Sequence, residues 1–136
     1  MSGVVRVKDG VTFPAVVGLY KGTIAPGGFM LLAAIQHAAS ATDLDLTITS
    51  GSDGCHSGEM DPHHRGEAYD IRTHDHTEEQ VAEILKAMVD FLGPQFYVFL
   101  EAAGTDNAHI HGQVRKDTVF PPNNAEQVSQ VAVGEN

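Results

Sequence analysis

Basic residues are scarce in this chain. Eight lysines and arginines face eighteen aspartates and glutamates, and the net charge is −10 with histidine neutral. A surface of that sign repels phosphate backbones, which argues against nucleic acid as a partner. It also offers no polybasic attraction to an anionic membrane. Cysteine is nearly missing: Cys55 stands alone, so no intrachain disulfide can form. No apolar run reaches the length that crosses a bilayer. The opening stretch "MSGVVRVKDGVTF" lacks a signal-peptide core, so the expectation is synthesis as a cytoplasmic protein. Internal repeats, low-complexity blocks and linkers are lacking too.

What is present reads as one domain of 136 residues, long enough for a real core. Apolar content of 42% and charged content of 19% are those of an ordinary soluble globular chain. The compositional excess is histidine, with eight copies.

Along the chain, residues 1–26 read as short β or irregular segments with turns near Gly10, Pro14 and Gly22. Gly28 to Ala41 is rich in Leu, Ala and Met and predicts a helix buried on several sides. "LDLTIT", 44–49, alternates apolar and polar as a half-buried strand does. A long polar loop follows from Ser50 to Gly66; its length and polarity suggest a wall of a binding cleft. "EAYDIRT", 67–73, predicts a short strand. Thr77 and Gln80 form a capping box, and Val81, Ile84, Leu85, Met88 and Leu92 share one helical face before Gly93-Pro94. "FYVFLE", 96–101, and "HIHGQVR", 109–115, are strands joined by "AAGTDNA". Residues 117–136 read as an extended tail on a core spanning about 27–115. The order of elements predicts an α+β fold, an antiparallel sheet with helices packed on one side.

Two segments carry chemistry. One is His63-x-x-Gly66-x-Ala68-x-Asp70, and the other is His109-x-His111. Residues two apart in a strand point to one face, so His109 and His111 project together. Ala68 shares a face with Asp70 and leaves room beside its carboxylate. Gly66 supplies a turn that brings His63 back over the strand start. His, Asp and His ligands with a fourth place open to water describe a catalytic zinc site. Glu101 ends one strand and His109 begins the next. If those strands form a hairpin, the two residues face each other, which sets Glu101 to take a proton from water.

Other residues compete for these roles. His64 neighbours His63 but lacks its spacing to Gly66 and Asp70. His56 lies in the long loop, within reach of a bound substrate. Asp106 is a rival base, because the 102–108 connection is long. Cys55 beside His56 makes a poor nucleophile pair, since adjacent residues rarely converge on one atom. His74 and His76 precede the Thr77 cap and read as polar loop, and His37 as an ordinary core or surface residue.

The run "TSGSDGCHSGEMDPHHRGEAYDIR", followed by "YVFLE" and "HIH", resembles the zinc D-Ala-D-Ala carboxypeptidase family. That family shares a fold with the Hedgehog signalling domain and with many phage endolysins and murein endopeptidases. The likeness covers roughly residues 27–115. It implies His63, Asp70 and His111 as zinc ligands and Glu101 as the catalytic glutamate. It makes His109 the accessory histidine of the pair and His56 a loop histidine near the metal. The activity implied is a hydrolase, a metallopeptidase cleaving peptide bonds that involve D-amino acids in peptidoglycan stems. The alternative it also implies is a non-catalytic, Hedgehog-like zinc-binding module. A chain without a leader suits a phage-type lysin released to the cell wall, and equally a cytoplasmic enzyme that trims muropeptides.

Overall fold

The computed structural model describes residues 2–11, 26–51 and 67–115. Among these lie β1 (Val5–Val7), α1 (Pro26–Thr42), β2 (Leu46–Ser50), β3 (Ala68–Arg72), α2 (Glu78–Phe91), β4 (Phe96–Glu101) and β5 (His109–Val114). The fold is α+β, one five-stranded sheet in the order β1-β2-β3-β5-β4. From β2 to β4 every pairing is antiparallel. This agrees with the expected α+β fold, and one edge pairing adds a detail to the antiparallel sheet. β1 pairs in parallel with β2, with Val5 beside Leu46 and Val7 beside Ile48, so the sheet is mixed. The physical reason is the intervening α1, which carries the chain back before β2 begins; a hairpin turn would have reversed it. The sheet therefore also draws on residues N-terminal to 27. The tail 117–136 and the turns near Pro14 and Gly22 lie outside the described residues.

α1 buries Leu31, Ala34, Ile35, Ala38 and Ala39, a single stripe at helical spacing. Ala33, Gln36, His37 and Ser40 on the other side are exposed, so the helix is not buried on several sides as expected. Alanine occurs on both faces of α1 and hides the stripe from a reading by composition. Asp43 ends the helix in the left-handed region at φ 56°, and the Leu44 N–H closes the turn on the Ala39 carbonyl. α2 begins at the predicted capping box. The Thr77 hydroxyl accepts from the Gln80 N–H at 3.1 Å, and the Gln80 side chain accepts from the Thr77 N–H at 2.8 Å. Val81, Ile84 and Met88 are its buried residues.

Both helices cover one face of the sheet. Their side chains meet over Gly112, where a Cβ would lie 3.3 Å from Leu31 Cδ2 and 3.6 Å from Met88 Cε. Ile48, Ile71 and Ile110 line up across three strands in this core. By strand alternation, residues 109, 111 and 113 of β5 point to the opposite face.

Candidate metal centre

Three strands converge on the face of the sheet opposite the helices. Asp70 on β3 is the direct partner of His111 on β5, and His109 on β5 is the direct partner of Glu101 on β4. Directly paired residues share a face, so two carboxylates and two imidazoles meet. One ligand atom from each of Asp70, Glu101, His109 and His111 lies within 4.8 Å of all the others. The hairpin inferred from sequence has the inferred register, Phe96 opposite Val114 through to Glu101 opposite His109.

His109 is held from both ends of its ring. Its Nδ1 lies 2.7 Å from the Asn107 carbonyl, which can only accept, so Nδ1 carries a proton. Its Nε2 then faces Glu101 Oε1 at 2.7 Å and Asp70 Oδ2 at 3.7 Å. A ring pinned through Nδ1–H to a carbonyl presents Nε2 in the way metal-binding histidines commonly do. The 102–108 connection makes this possible. It is closed by hydrogen bonds from the Thr105 hydroxyl to the Ala102 carbonyl at 2.7 Å and from the Ala108 N–H to the Thr105 carbonyl at 3.2 Å. The longer loop is thus a folded turn that offers the Asn107 carbonyl to His109. Asp106, the rival base, is exposed on it and stands outside the cluster.

His111 is buried, as is Asp70. Its Nδ1 lies 2.8 Å from Asp70 Oδ1 and its Nε2 lies 2.7 Å from Gln113 Oε1. Burial disfavours the charged ring. The hydrogen bonds to Asp70 and Gln113, with the charges of Asp70 and Glu101, outweigh that and raise the His111 pKa above its ordinary value. Phe99, its partner on β4, packs a tilted ring 5.2 Å from the imidazole. A register shift in β2 between Ile48 and Ser50 brings Ser50 opposite Asp70. The Ser50 hydroxyl is buried there without a hydrogen-bond partner.

This donor set suits a metal ion. Imidazole nitrogens with carboxylate oxygens are zinc's usual ligands outside thiolate sites. An unpartnered buried hydroxyl beside Asp70 adds a polar atom to the same face. Four of the residues singled out from sequence, Asp70, Glu101, His109 and His111, come together. His63, its neighbour His64, and His56 with Cys55 lie outside the described residues, as does most of the loop from Ser50 to Gly66.

Two supports escaped the sequence reading. Gln113 was legible in principle, since H-x-H-x-Q puts all three side chains on one face. The Asn107 carbonyl carried no signal, because a backbone atom's direction depends on the folded turn. His76 also departs from expectation. Its side chain is only 7% exposed and its Nε2 lies 3.5 Å from Asp75 Oδ1, so it is a tucked residue rather than a solvated loop histidine. His37 is exposed and packs against the Phe91 ring.

No family model, curated protein or solved structure matches this chain.

Proposed function

We propose that the chain is a zinc-dependent peptidase that cleaves D-amino-acid-containing bonds of peptidoglycan stem peptides. The observation that carries this reading is the meeting of Asp70, His111, His109 and Glu101 on the face of the sheet opposite the helices. Their residue types and order along the chain match the resemblance described above. Asp70 and His111 would hold zinc, with His63 as the third ligand. Bound there, zinc would supply a Lewis acid that polarises a carbonyl and makes water more acidic. Glu101 takes the proton of the attacking water and returns it to the leaving amine. Its side chain is 48% exposed, so water reaches it freely. His109, steadied by the Asn107 carbonyl, keeps Nε2 beside Glu101, where it would stabilise negative charge developing on the substrate.

A second reading is a zinc-binding module without catalysis. One observation favours it: the Glu101 carboxylate is already engaged by His109 at 2.7 Å. Glu101→Gln separates the two. It is nearly isosteric and should keep zinc while losing hydrolysis of purified muropeptides, read by mass spectrometry. Removal of a general base typically costs on the order of a hundred- to ten-thousandfold in rate. Wild-type protein that carries zinc yet leaves every muropeptide intact would support the module and end the peptidase reading.

A further inference from the structure

The His111 ring is held on both sides, and the two sides differ. Nδ1 faces the cluster. It lies 2.8 Å from Asp70 Oδ1, while the other oxygen of that carboxylate lies 3.7 Å from His109 Nε2. Nε2 faces away from Asp70 and lies 2.7 Å from Gln113 Oε1. Gln113 is two positions further along β5, so its side chain takes the same face as His111. Across the sheet it is paired with Ala68 on β3 and Tyr97 on β4. Ala68 is small, which leaves the carboxamide room to lean toward the ring.

A carboxamide can turn either its oxygen or its NH2 to a neighbour. A second bond makes that choice here. Gln113 Nε2 donates to the Val114 carbonyl at 3.2 Å, so the oxygen is the end presented to His111. That oxygen only accepts, so His111 Nε2 carries a proton. A ring nitrogen that bears a proton has no lone pair to give a metal. The nitrogen left to ligate is Nδ1, on the side of Asp70, because the bond made by one ring nitrogen sets the role of the other. The side chain of His111 is 9% exposed, so water is a poor substitute for this acceptor. Phe99 packs a ring 5.2 Å from the imidazole and further limits how it can turn.

We propose that Gln113 is a positioning residue of the metal centre: it takes the Nε2–H of His111 and so directs ligation through Nδ1. The inference rests on the zinc-dependent reading above and deepens it, by naming the residue that selects the ligating atom. In this role Gln113 touches neither metal nor substrate and acts through His111. An acceptor in this place fixes the orientation of a ligand ring and raises its basicity. Losing one typically costs about ten- to a hundredfold in metal affinity.

The test uses the full-length chain with 15N-labelled histidine. It reads zinc affinity by competition with a chelator, and the histidine side-chain nitrogen spectrum of the zinc-loaded protein. In wild type, His111 should show metal on Nδ1 and a proton on Nε2. Gln113→Leu, of similar size but without an acceptor, should bind zinc roughly ten- to a hundredfold more weakly. Gln113→Glu keeps an acceptor though it loses the bond to Val114, and should recover most of that loss. A residue that only filled space would show the opposite order, since leucine packs better than a carboxylate. Metal on Nε2 in wild type would overturn the assignment, and this result decides even where Gln113→Leu fails to fold. So would a folded Gln113→Leu protein with wild-type zinc affinity, or Gln113→Glu binding as weakly as Gln113→Leu. The two readings fail separately. Zinc held through Nδ1 with every muropeptide left intact ends only the peptidase reading. Hydrolysis with a zinc affinity indifferent to residue 113 ends only this role. A wild type that takes up no zinc ends both.

Discussion

Replacing Asp70 with asparagine tests the metal centre through folding stability. The side chain keeps its shape and retains an oxygen that can accept from His111 Nδ1, now 2.8 Å from Asp70 Oδ1. What is lost is charge, in a place where Asp70 is 9% and His111 7% exposed. A hydrogen bond to a charged group contributes about 1.5–3 kcal/mol and a neutral one about 0.5–1.5 kcal/mol, so the difference is about 1 kcal/mol. Relief from burying a carboxylate offsets part of it. Metal-stripped Asp70→Asn protein should therefore lose about 1 kcal/mol or less. The zinc-loaded protein should lose far more, because a neutral amide is a poor ligand. An affinity a hundredfold weaker removes about 2.7 kcal/mol of zinc-linked stability. Urea unfolding of both proteins, each with excess zinc and with EDTA, gives the four values needed. The expected pattern is a loss of roughly 3–4 kcal/mol with zinc against about 1 kcal/mol without it. Equal losses in the two conditions would refute Asp70 as a ligand and leave it a structural acceptor for His111.

Other outcomes follow from the same geometry. Asp106→Asn should leave muropeptide hydrolysis within about twofold of wild type while Glu101→Gln abolishes it, since Asp106 is exposed and outside the cluster; product analysis decides. Gly112→Val should cost about 2 kcal/mol in urea unfolding, because even a Cβ would meet Leu31 at 3.3 Å and Met88 at 3.6 Å. Thr77→Ala should cost about 1 kcal/mol by loss of the cap of α2, without changing zinc content. Burial pushes the Tyr69 phenol from 10.0 up to about 12. Between those values the unfolded chain has released the proton while the folded chain keeps it. Stability present below pH 10 should then fall by about 1.4 kcal/mol per pH unit on the way to 12. In Tyr69→Phe that fall should vanish, as pH-dependent unfolding would reveal.

The sequence alone determined the local elements and the chemistry they carry. The Thr77 and Gln80 side chains specify the start of α2 by bonds three residues apart, the aromatic and β-branched run "FYVFLE" specifies one strand by its propensity, and the two-residue spacing in "HIH" puts both histidines on one face of the next. A hairpin between adjacent strands leaves little freedom, which is why Glu101 opposite His109 was legible before any coordinates. That His109 and His111 share one face of β5 was legible from their two-residue spacing. What only the tertiary structure decided involves partners distant in sequence or directions of backbone atoms. Asp70 reaches His111 across 41 positions, and nothing local dictates that β5 enters the sheet between β3 and β4. The parallel seat of β1 depends on α1 returning the chain, and the place of Ser50 beside Asp70 depends on a register shift in β2. The Asn107 carbonyl meets His109 only because the 102–108 turn folds on itself. That Arg115 stacks on the Tyr97 ring is likewise visible only in the fold, because alternation tells which face a side chain takes and not what it rests upon.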